Sequence, residues 1–267
     1  MNATDITGAQ LAAAYLLLLF PLAVFLWYGV ALVAESLLSV ARMTVQLLFV
    51  GFYLQVVFQW NNPWVNGLWI AVMVIVADAS IVRGCKLRVR RFALPLALAL
   101  LLGVLVPLLL FLFVIIRPEP LFDARYVIPI GGMILGNCLR ADIVGVSGFY
   151  EGIQKREKVY VTALAAGARL HEAVLPFLRE ALEAALRPTI ATMATIGIVS
   201  LPGMMTGVIL GGADPMTAIK YQIAIMLAIF TGTAITVTLA IYLTLGNSFT
   251  AYGMLDKDIF QRKNAQN

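Results

Sequence analysis

Apolar runs long enough to cross a bilayer succeed one another along this chain with mostly short polar joins, and that repetition narrows the possible folds more than any motif does. One hydrocarbon crossing takes about 20 apolar residues. Backbone groups in lipid must find partners within their own segment or within a closed barrel. The runs lack the period-two alternation of barrel strands, so they are helices. Seven spans can be drawn: about 9–32, 43–59, 64–82, 93–116, 126–146, 188–210 and 216–245. The expected fold is an all-α, polytopic transmembrane bundle, with 1–267 forming one transmembrane domain. Composition agrees, with 61% hydrophobic and 12% charged residues, where a soluble domain is about half apolar and a quarter charged. No soluble catalytic domain fits in what remains. The first run lacks the basic start and small-residue cleavage site of a signal peptide and reads as a retained span. Cys85 lies in a basic loop and Cys138 in an apolar run, so no structural disulfide is expected.

Orientation follows from Lys and Arg in the short loops. Arg83, Lys86, Arg88, Arg90 and Arg91 crowd one loop; Lys155, Arg156, Lys158, Arg169, Arg179 and Arg187 lie in a second polar segment; Lys257, Arg262 and Lys263 lie in the tail. The loop at 59–63 has no basic residue, and in 117–125 two Arg are balanced by two acids. Seven spans then place the N-terminus outside and the C-terminus in the cytoplasm, with every basic-rich loop on the same side. The net charge of +5 is accounted for by those loops and calls for no nucleic acid. Trp60, Trp64 and Trp69 cluster at one outer boundary, as interfacial anchors should.

One polar segment is too long to be a simple turn. Residues 147–187 turn hydrophilic and helix-prone between two apolar runs, and must sit outside the bilayer. Their first part, 150–168, ends in the small-residue run Ala163, Ala165, Ala166, Gly167 and Ala168, which would let another helix or a protein groove approach closely. Their second part, 171–187, is amphipathic. Two readings stand: a helix lying on the membrane surface, or a docking element that takes up force from a cytosolic protein.

Within the spans, Gly203, Gly207 and Gly211 recur every four residues, the spacing that lets two membrane helices touch backbone to backbone. Pro202 just before them predicts a bend. Met204 and Met205 offer soft thioethers that either fill gaps or line a pathway. Polar groups inside a membrane usually face a bundle or a pore. Glu35 and Arg42, seven residues apart, share a helix face; Asp78 and Asp142 lie near the inner ends of their spans; Gln46 and Asn137 lie deeper. Pairing between neighbours is one account of them, and a pathway for a divalent cation with oxygen donors is the other.

Two enzyme signals fail on their own chemistry. Gly145-Val146-Ser147-Gly148 has the pattern of an intramembrane serine protease, but the sole histidine, His171, falls in the charged segment and cannot serve as base from a neighbouring span. His171-Glu172 begins a zinc-protease pattern, yet Leu175 stands where the second histidine belongs. No G-x-x-x-x-G-K-[ST] occurs, so the chain has no phosphate-binding loop of its own.

The run TALAAGARLHEAVLPF (162–177) resembles the cytoplasmic loop of ABC-transporter permeases, whose coupling helix fits a cleft in the ATPase. RMTVQLLFVG (42–51), IPIGGMILGN (128–137) and RPTIATMATIGIVSLPGMMTGVILGGADPMTAIKYQI (187–223) look like the FetB-type permeases, a family of bacterial iron exporters and plant aluminium-tolerance relatives. An alanine run stands where importer permeases often carry Glu-Ala-Ala. The resemblance implies a permease subunit of the plasma membrane that exports iron or another metal. It implies pairing with a second copy and drive by separate cytosolic ATPases, which carry the ATP and magnesium; the chain itself is expected to hold no cofactor and not to be an enzyme. It places ATPase coupling at Glu157, Ala163, Ala166, Gly167 and Ala168, and marks Arg42 and Gln46 as motif positions. An ATP-independent ion channel or carrier is the alternative.

Overall fold

The computed structural model describes residues 6–250 and 252–260; Arg262 and Lys263 of the basic tail lie outside the described residues. Apart from three isolated bridge pairs, the regular structure described is helical. α1 (Gly8–Ala14) and α2 (Leu19–Trp27) are joined by a 3-10 turn into one apolar rod. α3 (Val33–Trp60) stops at Asn61, whose backbone enters the left-handed region at φ 39°. Asn62 then caps α4 (Pro63–Gly84), with Pro63 in the first turn, where its missing N–H costs nothing. α5 (Val89–Leu110) widens past Pro107 into a π turn at Phe111–Ile116. α6 (Ala124–Lys155), α7 (Glu157–Ala165), α8 (Leu170–Thr195), α9 (Gly203–Leu210) and α10 (Pro215–Ser248) follow. Asp123 and Asp214 cap α6 and α10 by accepting first-turn amides at 2.9 Å.

Among the described residues, six rods are long and apolar enough to cross a membrane: 8–27, 33–60, 63–84, 89–116, 124–155 and 215–248. They answer to six of the seven expected spans. The seventh needs correction, because 188–210 is not one helix. α8 ends at Thr195, residues 196–202 run without helix, and α9 lasts only eight residues. Gly197 takes φ +86°, and Leu201 precedes Pro202, which disfavours the helical region for Leu201. The bend expected at Pro202 is therefore a break that starts six residues earlier. The chain still advances in one direction across it. Ala185 lies against Gly145 and Val237, and beyond the break α9 packs against α10.

α10 sits at the centre of the bundle against α5, α6 and α8. It runs parallel to α4 and α6 and antiparallel to α5 and α8. In lipid, apolar burial alone gives little, and close contact between helices must supply the adhesion. Here that contact is made by Gly103 and Gly232. A Cβ on Gly232 would come within 2.7 Å of the Gly103 carbonyl, and one on Gly103 within 2.7 Å of Thr236 Cβ. Gly145 plays the same part on α6, where a Cβ would meet Val237 at 2.5 Å. α3 joins this body only near its Trp60 end, where Val57 packs with Ala124 and Ile128 and Tyr53 stacks on Trp69 at 4.1 Å.

Loops sort to the two ends as the charge count predicts. At one end, Asn61 accepts from the Ala124 amide and Asn66 donates to the Phe122 carbonyl, both at 2.9 Å, beside the exposed Trp60 and Trp64. At the other, the segment after α10 folds back on the basic loop. Arg88 pairs with Asp258 at 3.1 Å and Arg91 with Asp256 at 2.5 Å, while the Arg88 amide donates to the Ile259 carbonyl at 2.9 Å.

Candidate transport site

α6, α8, the break, the start of α9 and α10 line a half-open cavity of about 900 Å³. The break explains why unwound backbone is tolerated at membrane depth, since irregular chain survives there only where it lines a cavity or is buried in protein. Ile196, Ser200 and Pro202 of the break form part of the wall. On α6, Asn137 and Arg140 face the space together, one helical turn apart. Asn137 Nδ2 donates to the Met133 carbonyl at 2.7 Å, and Arg140 Nε donates to the Gly136 carbonyl at 3.3 Å. Thr189 and Thr192 contribute from α8, and Gln222 from α10. Gln222 is only 8% exposed and has no hydrogen-bond partner among the described residues. Met133, Met204 and Met226 complete the softer part of the wall.

Of the residues singled out in the sequence, Asn137, Pro202, Gly203 and Met204 line this cavity. Met205 is buried on the other side of the break, beside Ile219 and Ile223. Asp78 and Asp142 are brought near each other but away from the cavity, inside the packing of α4, α6 and α10. Asp142 Oδ2 accepts from Thr236 Oγ1 at 2.8 Å; its other oxygen and one oxygen of Asp78 have no protein partner, and no described Lys or Arg pairs with either acid. Glu35, Arg42 and Gln46 lie on exposed stretches of α3, and among the described residues Glu35 and Arg42 form no ion pair. Arg140 and Gln222 escaped the sequence reading. Arg140 is three residues after Asn137, and that spacing on a helix was the available signal.

The polar segment resolves into three pieces. Its beginning belongs to α6, which continues to Lys155; its middle is α7; its amphipathic end is the first part of α8. This α8 stretch does not lie along a membrane surface, because Ala173, Val174, Phe177, Leu178, Ala181 and Ala185 are buried against the bundle. Arg156 braces the elbow: it pairs with Glu180 through both guanidinium ends and lies 4.7 Å over the Phe177 ring. That hydrogen bonding holds the Glu180 carboxyl below its ordinary range. Tyr160 is buried under α7, donates to the Gly253 carbonyl, and has its phenol pushed up to about 12 by burial. Glu157, Ala166 and Gly167 are exposed on the elbow, while Ala163 and Ala168 turn half inward onto the bundle. Gly167 takes φ +92°. Its amide donates to the Leu164 carbonyl at 2.9 Å and that of Ala168 to the Ala163 carbonyl at 3.1 Å, the paired bonds of a glycine helix stop.

Gly203 and Gly207 have no side chain or foreign backbone within contact of a Cβ, and Gly211 meets only carbonyls of its own helix. The stripe therefore packs against nothing within the described chain. Ser147 of the protease-like motif donates back to the Ile143 carbonyl of its own helix.

Residues 8–249 match the family model described as "Uncharacterised protein family (UPF0014)". A UPF0014 membrane protein of a Synechocystis strain is 36% identical over 226 residues, covering 83% of this chain and 86% of its own. "Protein ALUMINUM SENSITIVE 3" of Arabidopsis thaliana is 34% identical over 243 residues, covering 90% and 87%. "Probable iron export permease protein FetB" of Escherichia coli is 30% identical over 244 residues, covering 91% and 93%. No solved structure matches. With six crossing-length rods among its described residues and the family match spanning nearly its whole length, the chain belongs to the UPF0014 family of membrane proteins.

Proposed function

We propose that this chain is the permease subunit of an ABC transporter that exports iron or another metal ion, driven by a separate cytosolic ATPase. The observation that carries the mechanism is how α7 is attached. This exposed short helix connects to α6 through the single residue Arg156 and to α8 through the Gly167 turn. α6 and α8 are two walls of the cavity. A protein closing on α7 therefore moves both walls together, and the break at 196–202 takes up the motion, since a few residues free of helical bonds absorb large dihedral changes. The metal cargo is supported by the likeness to the Escherichia coli protein whose name gives it iron export.

The basic end faces the cytoplasm on this proposal, which the excess of Lys and Arg supports, with the N-terminus outside. ATP and magnesium belong to the partner ATPase, and two permease copies meet along surfaces the single chain leaves open, the α9 glycine stripe among them.

The test uses cells expressing the chain and loaded with radioactive iron. Efflux should depend on ATP and fall to background in Ala166→Trp, with insertion unchanged. Ala166 is the better site than Gly167, because φ +92° would strain any side chain there. Efflux that continues at full rate in ATP-depleted cells would instead identify an ATP-independent carrier or channel.

A further inference from the structure

The cavity has the wrong charge for the cargo in its simplest form. Its lining contains one charged side chain, and that is Arg140. Asp142, two residues on, faces the closed packing of α4 and α10, and Asp78 is buried there with it. A bare divalent cation in the cavity would meet a guanidinium and no carboxylate.

Size points the same way. An ion with six waters fills roughly 180 Å³ at about 30 Å³ per water. The cavity, at about 900 Å³, is in the range of sites that hold small organic molecules. Its charged group is suited to oxygen acceptors. Arg140 uses only Nε within its own helix, so the terminal nitrogens of its planar fork remain for a carboxylate. Gln222 of α10 lines the same space, nearer the start of that helix.

We infer that the cavity between α6, α8 and α10 binds metal as an anionic carboxylate complex, with Arg140 engaging the carboxylate oxygens and the bare cation excluded. Asn137 adds its carbonyl oxygen to the polar side of the cavity, and Met133, Met204 and Met226 give it an adaptable apolar side. This cargo class rests on the metal-export function proposed above.

The test is equilibrium binding to the purified full chain in phosphatidylcholine nanodiscs. The probes are radioactive ferric citrate, radioactive ferrous iron without chelator under anaerobic conditions, citrate alone, and glucose 1-phosphate as a phosphate-bearing control. Ferric citrate should bind saturably. Arg140→Gln should weaken it on the order of tenfold or more, as expected for losing a charge-assisted bond, while Arg140→Lys should retain part of the affinity. Gln222→Ala, away from the charge, should weaken it less. Unchanged thermal unfolding of each variant shows that the fold is intact. Ferrous iron bound more tightly than ferric citrate and indifferent to Arg140→Gln would overturn the inference, as would binding of glucose 1-phosphate in preference to ferric citrate. Iron efflux from cells separates the two ideas. Efflux present with binding indifferent to Arg140 leaves the export function standing and removes this one; no iron efflux in any form removes both.

Discussion

Gly103 and Gly232 meet across α5 and α10 so closely that neither site has room for a Cβ, whereas Gly203 and Gly207 on α9 have open space around them. The two sets look alike in sequence, small residues in apolar runs. Only the second has the four-residue spacing that marks a packing face, yet it is the first that packs. The difference separates a closed side of the molecule, where α4, α5, α6 and α10 hold one another, from an open side, where α8, the break and α9 leave room. On the closed side a glycine is a point of contact already used. On the open side it is a surface still available, to a cargo or to a second chain.

Substitutions on the two sides should differ accordingly. The largest effect is expected from Gly232→Leu, which drives a branched side chain into the Gly103 carbonyl and Ile134. Overpacking typically costs about 1–3 kcal/mol, and rigid backbone on one side of the contact puts this case at or above the top of that range. Thermal unfolding in detergent should show a large drop or no monodisperse protein; a wild-type transition would mean that the α5–α10 seam is not where the bundle is held. Thr236→Val comes next. It removes the hydroxyl that donates to Asp142 and leaves a buried carboxyl oxygen without its partner, at a cost of about 1–3 kcal/mol. The same unfolding measurement checks it, and an unchanged midpoint would show that this carboxyl is satisfied elsewhere.

A smaller and conditional effect is expected at the basic end. Hydrogen bonds from Arg91 and from the Asp258 amide hold the Asp256 carboxyl below its ordinary range. Such a group stabilises the docked tail at pH values above its unfolded value, and the contribution is lost as pH falls through the lowered folded value. A spin label at Tyr252→Cys should therefore keep its neutral-pH mobility as pH is lowered and loosen only on strong acidification, below the usual carboxylate range. Equal mobility at neutral pH in Arg91→Gln and wild type would show that this pair does not hold the tail. Least of all should Gly207→Leu disturb the single chain: its unfolding should match wild type, with any change confined to the association of two copies. A fall in the stability of the isolated chain would place α9 on the closed side after all.

The sequence was most informative where its signal is local. Hydropathy located six of the rods within a few residues at most ends, Lys and Arg sorted the loops to the two ends, and Asn62, Asp123 and Asp214 stand where capping chemistry requires. The break was hidden because 188–210 carries no charge and is mostly apolar, and hydropathy does not register dihedral angles. Gly197 was the missed signal, five residues before the proline that attracted attention. The fate of 171–187 was equally hidden. An amphipathic helix buries its apolar face against lipid or protein with the same residue pattern, and only the position of α6 decides between them. The cavity depends on three helices distant in the chain. Asn137 could be named as a polar group at depth, but that Arg140 faces the space and Asp142 faces away follows from which neighbours α6 acquires. The pairing of Arg88 and Arg91 with Asp258 and Asp256 joins charges far apart in sequence, and no periodicity announces it.

That last contact bears on the order in which the molecule can be finished. The residues that neutralise Arg88 and Arg91, and the Gly253 carbonyl that receives Tyr160, come after α10 in the chain. During synthesis they emerge behind every helix of the bundle. Until then the loop between α4 and α5 carries its positive charges unanswered, and the phenol beneath α7 lacks its acceptor. The end of the molecule that offers α7 to another protein is thus completed last, so a chain whose final helix has not been inserted presents an incomplete surface. The fold carries within it a delay between insertion and readiness to be gripped.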